Sequence, residues 1–249
     1  MKLLVCISNV PDTTTKIKFN NHNTQLDSTG IQWVINPWDE LALTRAIELK
    51  EDEKSPVSEV HVINVGLNET EPTLRKCLAM GADSAFRINY SPKDAYSTAQ
   101  QIANFIENKP YEFVICGIES GDYNGSVVGG MLSELAHLPS LSSVSDIQFE
   151  NNNATIERDI VNGKEYTKLN GPAVLIAHKG FAKEARIPNM RGIMVARSKP
   201  LTIVQPIDAE ILTEFVDFEL PNPKSRVTLI DSENLIELIH LLNTEAKVL

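Results

Sequence analysis

The sequence predicts an α/β protein: a doubly wound, mostly parallel sheet with an antiparallel extension and an extended C-terminal tail ending in a helix. Three observations predict it. From residue 1 to about residue 139, short β-branched apolar runs alternate with stretches of helical period, the pattern of parallel strands joined by crossover helices. From about residue 140 to residue 178 the texture becomes a series of strand-like runs with a two-residue turn signal. Beyond that, a basic, proline-punctuated segment with little periodicity leads into one amphipathic stretch.

Each element has its own warrant. "KLLVCIS" opens the first strand, and Pro37 followed by Asp39 and Glu40 sets a rigid first turn with acids at the start of "PWDELALTRAIELKED". "SEVHVINVG" is the next strand, and Thr70 with Thr73 and Leu74 opens the helix in "TEPTLRKCLAMGA". "SAFRIN", "DAYSTAQQIANFIEN", "YEFVICG" and "SVVGGMLSELAHL" continue the alternation. "SSVSDIQFE", "ATIERDIV", "KEYTKL" and "PAVLIAH" read as the antiparallel extension, with Asn162-Gly163 as its hairpin turn. After the basic "KGFAKEARIPNMRGIMVARSKPL", Pro206, Pro221 and Pro223 punctuate a tail that must lie on something. In "DSENLIELIHLLNTEAKVL", Asp231 or Ser232 is the expected cap, and Leu235, Ile236, Leu238, Ile239 and Leu242 form an apolar stripe that needs a surface to cover. The expected division is an α/β nucleotide-binding domain over residues 1–182 and a partner-binding segment with tail over 183–249.

Composition excludes several classes. A chain of 249 residues with 42% hydrophobic residues can bury a sizeable core. A net charge of −10 and a pI of about 5.0 exclude a sequence-independent grip on nucleic acid, which needs a basic surface. The first apolar run, "LLVCI", is too short for a signal-peptide core or a bilayer span, so a cytoplasmic, not membrane-embedded protein is expected. Cys6, Cys77 and Cys116 sit in apolar contexts without paired spacing and read as buried, reduced thiols. His22, His61, His137, His178 and His240 are scattered, and no G-x-S-x-G, H-E-x-x-H or Walker pattern occurs. No catalytic residues and no metal ligands are therefore expected.

The stretch "ICGIESGDYNGSVVGGMLSEL" carries the chemistry that remains. It places five glycines between an apolar strand and a helix. In an open α/β sheet, ligands collect beyond the carboxyl ends of strands, and this turn lies at such an end. Gly117, Gly121 and Gly125 let backbone amides approach a ligand, and the following helix start adds N–H donors that suit an anion. A phosphate can sit there without a lysine. The pattern is not G-x-G-x-x-G, and a plain turn is the alternative.

Four segments in order resemble the beta subunit of electron transfer flavoprotein. "LLVCISNVPDTTTKI" resembles the family's opening strand and Val-Pro-Asp segment, and "WVINPWDELALTRAIELKE" its Asn-Pro-x-Asp-Glu signature. "TEPTLRKCLAMGADSAFRI" resembles its Leu-Arg to Ala-Met-Gly-Ala-Asp stretch, and "ARIPNMRGIMVARSKPL" its late basic run. The resemblance implies a flavodoxin-like, adenine-nucleotide-binding sheet in a non-catalytic electron-carrier subunit. It implies an alpha subunit with which a redox-active FAD is shared, flavin dehydrogenases of the acyl-CoA type as donors in fatty acid oxidation, and a quinone reductase as acceptor. It implies AMP as a structural ligand of this chain, with FAD in that place as the alternative in bifurcating members that oxidise NADH. A stand-alone nucleotide-binding module is the third reading, and the long tail disfavours it.

Carried over by position, the family's nucleotide contacts fall on Cys6, on Asn36 and Asp39, on Val65, and on the loop with Asp122, Asn124, Gly125, Ser126, Val127, Val128 and Gly129. Cys6 and Val65 are apolar walls for the base. Asn36 either caps a helix or reads an adenine edge. Asp122 accepts from a ribose hydroxyl, and Ser126 either holds phosphate or caps the next helix. The family's loop reads Asp-Asp-Asp-x-Asn-Gln-Thr, whereas here Ser126, Val127 and Val128 replace the Asn, Gln and Thr, so backbone amides bear most of the phosphate. The family's dehydrogenase-docking leucine aligns, by the Ile193-Met194 landmark, with Ala182, and Phe181 beside it is the candidate anchor, its alternative being a place in the core.

Overall fold

The computed structural model describes residues 1–150, 153–223 and 227–249. The first half of the chain runs β1 (Lys2–Cys6), β2 (Asn9–Pro11), β3 (Phe19–Asn20), β4 (Gln25–Leu26), β5 (Trp33–Ile35), α1 (Pro37–Glu51) and β6 (Glu59–Val65). It continues with α2 (Glu71–Met80), β7 (Ser84–Ile88), α3 (Ala95–Ile106), β8 (Tyr111–Gly117) and α4 (Val128–Leu135). Then come β9 (Ser140–Glu150), β10 (Asn153–Ile160), β11 (Gly163–Leu169), β12 (Ala173–Ala177), α5 (Met190–Ala196), β13 (Leu201–Val204) and α6 (Leu235–Thr244).

One sheet of nine strands organises the molecule, in the order β11-β10-β9-β12-β8-β1-β6-β7-β13. The strands from β9 to β13 in that order run parallel, and β10 and β11 extend the sheet antiparallel. Side chains alternate across β1, so Leu3 and Val5 pack under α1 and α2, while Leu4 and Cys6 pack under α3 and α4. Both faces are covered, which is why "LLVC" is an unbroken apolar run. From β1 the chain steps through β6 to β7, and α3 then carries it back past β1 to β8. The order therefore reverses between β1 and β8, and a crevice opens beyond their carboxyl ends.

Helix starts follow local chemistry. Pro37 stands in the first turn of α1 with Asp39 and Glu40, and Pro72 does the same in α2. At α3, Asp94 accepts from the Ser97 amide and Ser97 returns a bond to Asp94, a full capping box.

Several expectations are corrected. "PAVLIAH" is not part of the antiparallel extension: β12 runs parallel between β8 and β9, and all five of its residues are buried, as a strand covered on both faces requires. Ile160 pairs with Gly163, so the hairpin loop is Val161-Asn162, one residue earlier than expected. The cap of α6 is Asn234, whose side chain accepts from Glu237 N, and not Asp231 or Ser232. The chain also stays with the sheet past residue 182. Lys199 donates to Leu78 O and Ala82 O at the end of α2, Arg75 donates to Ala196 O and Lys199 O, and β13 then pairs with β7. Beyond Val204 the described residues form no helix or strand until α6, none of whose residues is buried. Among the described residues no helix is long and apolar enough to cross a membrane.

Candidate functional site

The crevice beyond β1 and β8 is built by two side chains at the start of α1. Asp39 is 3% exposed, and its carboxylate accepts from Ser8 N at 2.7 Å and from Gly117 N at 3.0 Å. Burial pushes its pKa up to about 7, against the hydrogen bonds from Ser8, Asn36 and Gly117 that favour the charged form. Asn36 is fully buried. Its Nδ2 donates to Glu119 O at 2.8 Å and its Oδ1 accepts from Gly121 N at 3.0 Å. Both atoms of the carboxamide are thus spent on the loop after β8, and Asn36 makes no side-chain cap bond to α1. Of the two roles weighed from sequence, the helix cap is corrected: the carboxamide clasps the loop instead.

Gly117 is required by this arrangement. A Cβ there would lie 2.3 Å from Asp39 Oδ1 and 2.7 Å from Trp38 Cβ. Gly129 is required for a similar reason, because a Cβ would meet Ile176 Cγ1 at 2.8 Å and push α4 off β12. Gly125 is different. Its Cβ would touch only Val127 Cγ2 at 3.8 Å, and the left-handed residues of the loop are Asn124 (φ 50°) and Ser126 (φ 52°), not the glycine. Asparagine tolerates that region through its short polar side chain, which is why the loop does not need glycine there.

Residues 121–127 are exposed. Asp122 Oδ1 accepts from Tyr123 N, Asn124 N donates to Ser120 O, and Ser126 Oγ donates to Glu119 Oε2 at 3.2 Å. Ser126 therefore does not cap α4. Val127 holds the cap position with no side-chain acceptor, and the first helical bond is Met131 N to Val127 O. The N–H groups of Val128, Gly129 and Gly130 have no intrahelical partner and carry the positive end of the helix dipole.

Cys6, Val65 and Cys116 lie on the α3–α4 face of the sheet at this same edge, all nearly buried. Contact with the Cys116 thiol and burial push the Cys6 thiol well above its ordinary range, so Cys6 stays a protonated, neutral thiol. The geometry brings together Cys6, Asn36, Asp39 and the loop carrying Asp122, Asn124, Gly125, Ser126, Val127, Val128 and Gly129, with Val65 two strands from β8. It does not bring Phe181 and Ala182 there. The chain turns back after β12 through a bond from Phe181 N to His178 O, and Phe181 is 1% exposed inside the core under α1 and α2, with Ala182 5% exposed. A side chain so packed is not a free docking anchor, and Phe181 is corrected to a core residue.

Two features escaped sequence reasoning. Glu119 places a carboxylate beside Ser126, and Tyr123 stacks on Phe215 of the distant tail at 5.0 Å between ring centroids. An aromatic in an otherwise glycine-rich, polar loop was the one signal for the second. Chemically, the site offers amide donors, an apolar wall and acids suited to hydroxyls, and no group of three or more His, Cys, Asp or Glu arranged for a metal occurs among the described residues. That donor set fits a phosphate monoester of a nucleoside: N–H groups for the phosphate, Val65 and Cys6 for a base, Asp122 for a hydroxyl.

A family model described as "Electron transfer flavoprotein domain" matches residues 24–209. The electron transfer flavoprotein subunit beta of Bacillus subtilis is 32% identical, with all of both chains covered. A mitochondrial electron transfer flavoprotein subunit beta of Oryza sativa is 28% identical over all of both chains. The "Caffeyl-CoA reductase-Etf complex subunit CarD" of Acetobacterium woodii is 30% identical over 82% of this chain and 78% of its own. With a family model that matches most of the chain and a 32% identical relative covered from end to end, the chain belongs to the electron transfer flavoprotein beta-subunit family.

Proposed function

We propose that this chain is the structural-nucleotide-holding subunit of a heterodimeric electron carrier. It binds AMP at the crevice between β1 and β8, pairs with an alpha subunit, and helps present an FAD shared with that subunit. The observation that carries this reading is the unpaired amide run at the start of α4, held open by the Asn36 and Asp39 clasps. In this reading the amides of residues 125–130 hold the phosphate, with Ser126 Oγ exchanging Glu119 for a phosphate oxygen. Asp122 accepts from ribose, Asn124 shapes the loop, and Cys6 and Val65 wall the base. Asn36 and Asp39 act by positioning the loops. The flavin supplies the electron chemistry, and no residue of this crevice is asked to be a catalyst.

The exposed apolar face of α6, including Leu235, Ile236 and Ile239, supports the alpha partner. Donation by flavin dehydrogenases, delivery to a quinone reductase and a cytoplasmic setting belong to the same proposal. A second reading places FAD where AMP would sit, in a bifurcating carrier. The loop favours it in one respect, since amides rather than the family's side chains hold the anion, and the CarD relative associates such a chain with a CoA-ester reductase complex.

Titration of the full chain with AMP tests the proposal. One saturable site is expected. Gly129→Ala, which forces the first turn of α4 away from Ile176, should weaken it roughly five- to tenfold, the worth of one or two displaced hydrogen bonds. Absence of AMP binding by a folded wild-type chain defeats the AMP reading.

A further inference from the structure

Residues 205–220 contain no helix or strand, yet they are fastened at successive points as they pass along the carboxyl edge of the sheet. Gln101 of α3, 2% exposed, donates to Ile207 O at 2.8 Å and accepts from Ile207 N at 3.0 Å. Asp94 accepts from Leu212 N at 2.8 Å and Thr213 N at 3.1 Å with the oxygen that is not used in capping α3. Phe215 then stacks on Tyr123 at 5.0 Å and on Phe218 at 5.4 Å, each pair 25° from parallel. Phe218 stacks on Phe19 at 5.0 Å and donates its N–H to Asn23 O at 2.8 Å. Four rings thus link the loop after β8, the tail, and the β3–β4 hairpin.

We propose that residues 207–218 form a strap and that Phe215, through Tyr123, is a positioning residue for the loop at the candidate site. The loop is held at its start by Asn36 and at its end by α4, but its middle carries two left-handed non-glycine residues, Asn124 and Ser126, in an exposed segment. Asparagine bears that conformation through its own side chain, whereas serine does so less readily, so Ser126 gains most from surroundings that hold the loop. The Phe215 ring is the aromatic contact made there by a part of the chain distant in sequence, and it covers one face of the ring of Tyr123, a residue 58% exposed with that contact in place. Stacked rings are worth more than their buried area alone, and the fastenings at Gln101 and Asp94 bring Phe215 to the loop at little further entropic cost. Order in the strap and order in the loop are therefore one equilibrium. If the nucleotide reading holds, ligand and strap stabilise each other reciprocally.

The test uses the full chain and follows amide hydrogen exchange at Gly121 and Asn124 in the loop, and at Ile207, Leu212 and Thr213 in the strap, with no ligand added. Phe215→Ala should speed exchange in both groups together, roughly two- to tenfold, the factor equivalent to one aromatic pair. Phe215→Tyr should restore wild-type rates. If Phe215→Ala speeds only the strap and leaves Gly121 and Asn124 unchanged, the strap does not position the loop and the proposal is overturned. AMP is then added as a separate arm. Weaker AMP binding by Phe215→Ala, rescued in Phe215→Tyr, supports positioning of the site itself. A wild type that ignores AMP sinks the nucleotide reading alone, because the exchange comparison decides the strap without ligand.

Discussion

At Asp39 a single carboxylate ties together segments 31 and 78 residues away, through Ser8 N and Gly117 N. Replacing it with asparagine keeps the shape but turns an NH2 toward one of those N–H donors. Asp39→Asn should cost about 1–3 kcal/mol in denaturant unfolding, the penalty of a buried donor left unpaired. Its pH dependence has a definite sign. The folded-state pKa, about 7, lies above the unfolded value of 3.8, so the native state holds the extra proton between them. The stability that Asp39 contributes is full below about pH 4 and is lost as pH rises to about 7. The stability gap between wild type and Asp39→Asn should therefore narrow over that window, and a gap that widens would contradict the assignment. The family resemblance placed nucleotide contacts on Asn36 and Asp39. It could not show that they clasp the loop, because those bonds cross long separations and a first-turn acid reads equally well as a partner of the helix dipole.

The elements follow the same division between what is local and what is not. The alternation from β1 to α4 was legible because each strand and helix buries its own stripe, and the proline-opened starts of α1 and α2 are local chemistry. β12 was misread because pairing direction is decided by the excursion through β10 and β11, which no local period records. Its unbroken apolar run "AVLIA" was the available clue. The loop glycines divide for a similar reason. Gly117, Gly121 and Gly125 read alike in the sequence as room for close approach, whereas of these three only Gly117 stands where an added Cβ would meet a close contact. Gly117→Ala should destabilise by about 1–3 kcal/mol, the range for overpacking a filled site, because its new methyl meets Asp39 and Trp38. Gly125→Ala should melt within a degree or two of wild type. Thermal melts of the two variants side by side check this, and equal loss in both would show that the loop is packed otherwise.

Across the whole molecule, a doubly wound sheet places its crevice where the strand order reverses, and the tail from β13 onward runs along that edge before leaving it with the bare apolar face of α6. The exposed helix is legible in the sequence as a stripe without a surface, and the strap is not, since stacking between Tyr123 and Phe215 joins segments that share no local pattern. The central proposal is that this chain carries an adenine nucleotide of its own within a two-subunit electron carrier. The direct measurement is to purify the chain with its alpha subunit, denature the complex, and identify and count the released nucleotides by mass spectrometry. One AMP per copy of this chain, beside one FAD, is the predicted result, while a folded complex that releases a single FAD and no other adenine nucleotide would contradict it.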